Sequence, residues 1–180
     1  MKKSILAAII ALPFGLATMS ASAVTVSGGT VNFQGEVVDA ACSVASESVD
    51  QTVILDQIKS STFTAGGEFA NQRKAFEIKL ADCSTGTQTT AAVSFNGNSD
   101  SSDTTLLANT AGAGAATNIG LALFGPDGQP IGLNDGTLSA ATTIQDGTTI
   151  IPLSVDYKST ASLPTAGAVE SVATFNVTYQ

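Results

Sequence analysis

The chain has 180 residues, of which 15 are acidic, seven are basic and none is histidine. Without histidine, Ser-His-Asp and Cys-His triads and imidazole-ligated metal sites are excluded. The acidic balance with scattered bases also excludes the basic footprint by which proteins bind nucleic acid or anionic lipid.

The first 23 residues have the three-part pattern of a secretory signal peptide. Lys2 and Lys3 precede an apolar run over residues 5–12, and the small residues Ala21-Ser22-Ala23 close the segment. The alternative is a membrane anchor, but this run is too short to cross ~30 Å of hydrocarbon and is followed by Pro13. We therefore predict cleavage after Ala23 and export of the rest.

The mature chain is expected to begin at Val24 and to form one domain of 157 residues. It keeps five basic residues against 15 acidic ones, a net charge of about −10. No later stretch approaches ~18 continuous apolar residues, so we expect a soluble domain.

Residues 24–35 have the pattern of an extended strand with Gly29, Val31 and Phe33 on one face. They precede the first predicted core strand, Glu36-Val37-Val38. A chain terminus is usually disordered unless something holds it. The pattern alone leaves two alternatives open, namely an ordinary first strand of the same domain and a strand that pairs with another copy.

Cys42 and Cys83 are the only cysteines. In an exported protein two cysteines favour one disulfide, although two buried thiols are the alternative. Closing a loop of this length stabilises the fold by roughly 4 kcal/mol in the entropic model. The spacing and the number of ligands exclude a redox CxxC pair and a zinc site.

The rest of the chain predicts an antiparallel β-sandwich, because Val, Ile, Thr and Phe recur with a period of two. The predicted strands are residues 48–55, 76–80, 92–95, 119–124, 150–157 and 172–179. Turn signals separate them at Asn96-Gly97, Asp127-Gly128, Asp135-Gly136 and Asp146-Gly147. The remaining segments predict a helical turn within residues 62–75 and a long surface loop over residues 99–117.

The last strand carries Ala173, Phe175, Val177 and Tyr179 on one face, with Tyr179 penultimate in the sequence. No motif indicates catalysis or a cofactor, since a nucleophile elbow and a Ser-x-x-Lys pair are absent. The glycines of residues 112–116 open no helix, and residues 127–136 lack the oxygen ligands of a calcium loop. We predict neither an enzyme nor a cofactor.

Both ends of the chain carry a distinctive combination of residues. It consists of Asp82-Cys83, Gly167 fourteenth from the end, Tyr179, and one longer stretch near the start. That stretch is Gly28-Gly29-Thr30-Val31-x-Phe33-x-Gly35-Glu36-Val37-Val38-x-Ala40-Ala41-Cys42. With this combination the chain resembles the chaperone–usher family, and in particular the major subunit of type 1 fimbriae. The likeness extends along the whole chain and weakens over residues 59–74 and 99–116.

The resemblance implies an incomplete immunoglobulin-like sandwich, the pilin fold, completed by a donor strand from the next copy. It divides the chain into a signal peptide (1–23), a donor-strand extension (24–35) and a pilin domain (36–180). Gly29, Val31 and Phe33 would face the groove of a neighbour. Gly167, Phe175, Val177 and Tyr179 would form the groove edge that a chaperone also pairs with.

The same resemblance implies a major structural subunit of a surface fimbria, which polymerises and supports cell adhesion. Its partners would be other copies, a periplasmic chaperone, an outer-membrane usher, and adaptor and tip subunits. The chain would pass through the periplasm and end on the fimbria outside the cell. The alternatives are a minor or adaptor pilin and a self-contained secreted sandwich that binds a ligand.

Overall fold

Strands make up most of the regular structure in the part of the chain that the computed structural model describes, namely residues 28–35, 37, 40–86, 88–160 and 163–180. These residues form eight strands, one four-residue helix and one 3-10 turn. The strands are β1 (Ser43–Val44), β2 (Lys74–Cys83), β3 (Thr90–Gly97), β4 (Leu107–Ala108), β5 (Ile119–Phe124), β6 (Thr142–Thr143), β7 (Gly147–Ser159) and β8 (Ala173–Tyr179). The fold is all-β, as the sequence pattern predicts.

The strands form two sheets in which every pair of neighbouring strands is antiparallel. The larger sheet has the order β1-β2-β7-β5-β4, and the smaller one has the order β6-β3-β8. The 13-residue β7 lies at the centre of the larger sheet, between β2 and β5. The last strand, β8, lies at an edge of the smaller sheet.

The main core lies between the sheets and consists of the inward half of each alternating strand. Ile78 and Leu80 of β2 and Ile151, Leu153 and Val155 of β7 are all buried there. Burying one such side chain stabilises the fold by about 1.5–3 kcal/mol. The period-two pattern is therefore what assigns each strand its inner face.

A disulfide joins Cys42, just before β1, to Cys83 at the end of β2. This confirms the predicted bridge, and both cysteines belong to the main core. The predicted first core strand at residues 36–38, by contrast, is not confirmed. Val37 is fully exposed, so the prediction is wrong at that residue, whereas Glu36 and Val38 lie outside the described residues. The predicted signal peptide and residues 24–27 also lie outside them.

The predicted strand over residues 48–55 is wrong. Residues Ser46–Val49 form the short helix α1, in which the buried Ser48 hydroxyl accepts a hydrogen bond from the Lys79 amide. Residues 51–58 follow without belonging to a strand, although Val53 and Leu55 pack against the core. The period of two in the sequence reflects this one-sided packing. Among the described residues, this segment has no partner strand.

The turn signals are confirmed at three of four places, where Gly128, Gly136 and Gly147 adopt positive φ. Asn96-Gly97 instead ends β3, where a Cβ on Gly97 would lie 2.5 Å from Leu107 Cδ2. Close packing, rather than a turn, requires glycine there. The predicted helical turn within 62–75 is displaced, since the 3-10 turn is Ser60–Thr62.

The predicted surface loop over residues 99–117 contains β4 and contributes to two cores. Leu107 joins the main core, whereas Leu106 lies on the other side of the larger sheet with Ala122 and Phe124. Phe69 packs on this second group, and the Arg73 guanidinium lies 3.6 Å from the Phe124 ring centroid. We call Phe69, Arg73, Leu106, Ala122 and Phe124 the outer cluster.

Candidate functional site

The edge strand β8 presents one unpaired side. It pairs with β3 in the register Val93↔Val177, and among the described strands none pairs with its other edge. Thr90 and Gln180 exchange both backbone hydrogen bonds, so bonded pairs alternate from there along the ladder. The backbone groups of Phe175, Val177 and Tyr179 therefore point away from β3, where another strand could bind them.

Residues 50–58 form the opposite wall. Val53, Leu55 and Ile58 pack against the core, while Ile54 between them is 73% exposed. Beyond the end of α1, none of the backbone–backbone hydrogen bonds of the described residues involves residues 51–58. Its position is held by side chains instead, since the Tyr157 hydroxyl donates to the Asp56 carbonyl at 3.2 Å. Among the described residues, this wall thus has no partner strand.

Two adjoining cavities lie along residues 50–58. The first is also lined by β8, whereas the second is lined by residues 164–169 instead. The first has a volume of about 600 Å³ and the second about 430 Å³, and Leu55 lines both. Apolar side chains of β2, β5, β7 and β8 line the first, including Phe76, Leu121, Val155 and Phe175. We call the two cavities with their walls the groove. Its shape and apolar lining suit an extended segment that carries apolar side chains on one face.

Gly167 lies at the second cavity, where residues 163–169 cross residues 114–117. A Cβ on Gly167 would lie 2.5 Å from the carbonyl carbon of Ala115, closer than real Cβ atoms approach. The two segments meet through a parallel bridge between Ala115 and Ala168. Gly167 is therefore required because two backbones meet there.

Tyr179 is the last residue of β8, the strand that forms one wall of the groove. Its hydroxyl donates to the Cys42 carbonyl at 3.0 Å, so the last strand is bonded to the residue that carries the disulfide. Burial raises the pKa of Tyr179 above its ordinary value. Phe175 and Val177 are also half-buried and pack against the core. Of the four predicted edge residues, Phe175 lines the first cavity and Gly167 the second, whereas Val177 and Tyr179 lie farther along β8 and line neither.

The described part of the predicted donor segment, residues 28–35, is exposed and forms no strand. Val31 is 70% exposed and Phe33 is 90% exposed. A Cβ on Gly29 would meet nothing within 4 Å. Val31 and Phe33 are thus among the large apolar side chains that the described residues leave exposed.

The described residues contain no group of three or more His, Cys, Asp or Glu side chains that could hold a metal ion. None of the helices in the same residues is long and apolar enough to cross a membrane. The groove is therefore the main candidate site in this part of the chain.

Residues 31–180 match the family model described as fimbrial protein. The chain belongs to the fimbrial protein family. It is 41% identical to the type-1 fimbrial protein A chain of Escherichia coli over 186 residues, with full coverage of both chains. It is also 41% identical to the fimbrial subunit type 1 of Klebsiella pneumoniae, again over the full length of both.

Solved structures of fimbrial proteins share the fold. A chaperone–usher pilus subunit has a TM-score of 0.68 and 28% identity, covering 89% of this chain and all of that one. The P pilus rod subunit PapA has a TM-score of 0.63 and 25% identity, covering 78% of this chain and all of that one. The fold is thus the incomplete immunoglobulin-like pilin fold, and the fimbrial chain is a structural subunit rather than an enzyme.

Sequence reasoning missed the wall formed by residues 50–58 and the contribution of residues 107–117 to the groove. The alternation of Val53 and Leu55 was a usable signal, but it indicated an ordinary paired strand. No comparable signal existed for Asn109 or Ala116, because their positions depend on contacts with residues far along the chain.

Proposed function

We propose that the chain is the major structural subunit of a surface fimbria, whose copies polymerise by donor-strand exchange and support cell adhesion. The observation that carries this proposal is the groove, with an unpaired strand edge on one wall and an unpaired segment on the other. A strand placed between them gains backbone hydrogen bonds and buries apolar side chains. Such a strand completes the sandwich.

The donor in this proposal is the segment 24–35 of another copy. Gly29, Val31 and Phe33 alternate on one face, and Val31 and Phe33 are exposed in the single chain. Seating each apolar side chain in the groove is worth about 1.5–3 kcal/mol. Gly29 fits a place where the groove is too shallow for a side chain. Because donor and acceptor lie on different surfaces, the contact does not close on itself and generates a filament.

Before assembly the groove needs a temporary partner, and we propose that this partner is a periplasmic chaperone. An unpaired edge strand beside an apolar groove invites pairing with unrelated chains. The edge residues Gly167, Phe175, Val177 and Tyr179 are the surface on which the chaperone pairs. An outer-membrane usher then exchanges the chaperone for the next donor strand, and adaptor and tip subunits end the filament.

The signal peptide over residues 1–23 accounts for the export route in this proposal. The mature chain passes through the periplasm, where Cys42 and Cys83 become oxidised, and resides on the fimbria outside the cell. The division into a donor extension (24–35) and a pilin domain (36–180) follows from the same mechanism.

The test is a deletion of residues 24–35 that keeps the signal peptide. We expect a folded chain that accepts a donor strand but cannot supply one, so that co-expression with the wild type shortens fimbriae in proportion to its dose. Fimbrial length is measured by electron microscopy and polymer by its resistance to detergent. Substituting Thr30 and Asn32 by Ser provides the control, because these side chains face away from Val31. Full-length fimbriae from the deletion variant alone would refute donor-strand exchange.

A further inference from the structure

Asn109 makes four hydrogen bonds with its side chain, which uses the full capacity of a neutral amide. Its Nδ2 donates to the carbonyls of Ala116 at 2.8 Å and Ala168 at 2.9 Å. Its Oδ1 accepts from the amides of Ala111 at 3.1 Å and Glu170 at 3.0 Å. The reverse amide orientation would place oxygen against two carbonyls, so the four partners fix the orientation shown here.

These four partners lie on two segments that are far apart along the chain. Ala111 and Ala116 belong to the loop after β4, whereas Ala168 and Glu170 precede β8. The segments also bond directly, since the Ala116 amide donates to the Ala168 carbonyl at 2.9 Å. Ala116 and Ala168 both line the second cavity, and Asn109 is absent from its lining. Asn109 therefore acts on the cavity only through its neighbours.

We propose that Asn109 is a positioning residue that sets the shape of the second cavity and so determines how firmly the groove retains the apolar donor side chain seated there, either Val31 or Phe33. The proposal rests on the donor-strand function given above. It assigns a role to the loop over residues 99–116. Gly167 lies within the same crossing, where there is no room for a side chain.

The test uses filaments of the full chain and follows their dissociation in detergent on heating. Asn109→Asp keeps both accepted bonds, removes both donated ones and turns a carboxylate towards two carbonyls. We expect dissociation to be about tenfold faster or more, since each lost bond contributes roughly a factor of five. Asn134→Asp is the matched control, because Asn134 bonds both polar groups of the Gly97 backbone at 3.0 and 2.9 Å and does not line the second cavity.

A double-mutant cycle separates positioning from general stability. Asn109→Asp is combined with Val31→Ala and, separately, with Phe33→Ala. We expect strong coupling with one donor substitution and additivity with the other, because only one side chain occupies the second cavity. Additivity with both, or equal coupling for Asn134→Asp, would overturn the proposal.

The remaining outcomes are also decisive. If Val31→Ala and Phe33→Ala leave dissociation unchanged, the donor-strand function itself fails. If they accelerate it while Asn109→Asp does not, only the role of Asn109 fails. Should Asn109→Asp yield no filaments, thermal unfolding of the soluble full chain decides: an unfolded chain overturns the proposal, and a folded one that cannot assemble supports it. Asn109→Ser then repeats the comparison without adding a charge.

Discussion

The two faces of the larger sheet are covered to different extents, and β5 contributes side chains to both faces. All six of its residues are buried. Leu121 and Leu123 line the groove, whereas Ala122 and Phe124 point into the outer cluster. The outer face is covered by the chain's own residues, while the inner face is left open along the groove. The inner face therefore carries both the main core and the groove proposed for assembly, whereas the outer face is covered within the chain.

The outer cluster is held by several contacts within the chain. Arg73 covers the Phe124 ring and donates to the Gly128 carbonyl at 3.2 Å. Lys158 lies 2.8 Å from the Asp103 carboxylate and 5.3 Å from the Phe69 ring centroid. No equivalent cover spans the groove between the described walls. This difference predicts that substitutions in the outer cluster lower stability, while substitutions of the donor residues proposed to fill the groove lower assembly.

The largest expected effect is the loss of filaments on Phe33→Asp. An unpaired carboxylate would have to enter an apolar cavity, which costs several kcal/mol. The domain itself should keep its melting temperature, because Phe33 is exposed in the single chain. Filaments are counted by electron microscopy, and unfolding is followed by circular dichroism. Asn32→Asp adds the same charge on the opposite face of the donor and should still assemble; equal loss of filaments in both variants would contradict this account.

Phe124→Ala tests the outer face of the larger sheet, which the outer cluster covers. Removing a buried phenylalanine ring costs about 3–5 kcal/mol of unfolding free energy, here with the loss of the Arg73 contact. Denaturant unfolding of the full chain measures this change. Ile54→Ala serves as the control, because that side chain is mostly exposed and should change stability by less than about 0.5 kcal/mol. A similar loss for both would mean that the outer cluster has no special role.

The sequence predicts the strands well where both of their faces or their partners lie within the chain. Residues 119–124 were predicted with the observed bounds of β5, since its apolar residues are buried on both faces. The pattern of residues 48–55 was read as a strand, yet no partner strand exists among the described residues. The error arises because alternation reports one-sided burial and carries no information on backbone pairing.

The candidate site was only partly predictable for a related reason. Phe175, Val177 and Tyr179 follow from alternation, and Gly167 followed from the family resemblance. The physical requirement at Gly167 is contact with residues 114–116, about 50 positions earlier, which no local pattern encodes. Asn109 likewise has the composition of a loop residue, and its role depends on distant carbonyls.

Tyr179→Phe is expected to have a smaller effect, because it removes a single hydrogen bond at the end of the groove wall. Loss of the bond to the Cys42 carbonyl costs about 1 kcal/mol. Since burial raises the pKa of Tyr179, its stabilising contribution is complete below the unfolded value near 10 and is lost as pH rises through the folded pKa. The difference between wild type and variant should thus be constant at neutral pH and shrink in alkali. A difference that is unchanged in alkali would argue against burial of the Tyr179 hydroxyl, whereas equal stability of the two chains at neutral pH would argue against the bond.

The smallest expected effect is that of Asp103→Asn, which weakens the cover of the outer cluster. The Lys158 ammonium, followed by the Thr105 hydroxyl, lowers the pKa of Asp103 through hydrogen bonds. Its contribution, about 0.5–1 kcal/mol, is therefore complete above the unfolded value near 3.9 and is lost as pH falls through the lower folded pKa. Urea unfolding from pH 7 to pH 2 should show the two chains converging. Glu47→Gln, at the more exposed pair with Lys79, is the control and should have less effect.

The bond from Tyr179 to the Cys42 carbonyl has a mechanical consequence in a filament under tension. In the proposed filament, force would enter each subunit along β8, where the donor strand would pair, and would leave through the covalent chain that precedes Cys42. Tyr179 links these two points directly, and the disulfide passes the remaining load to β2, which pairs with the long β7. Tension would then act mainly on the short path through Tyr179, Cys42 and the disulfide. The outer cluster is not part of that path.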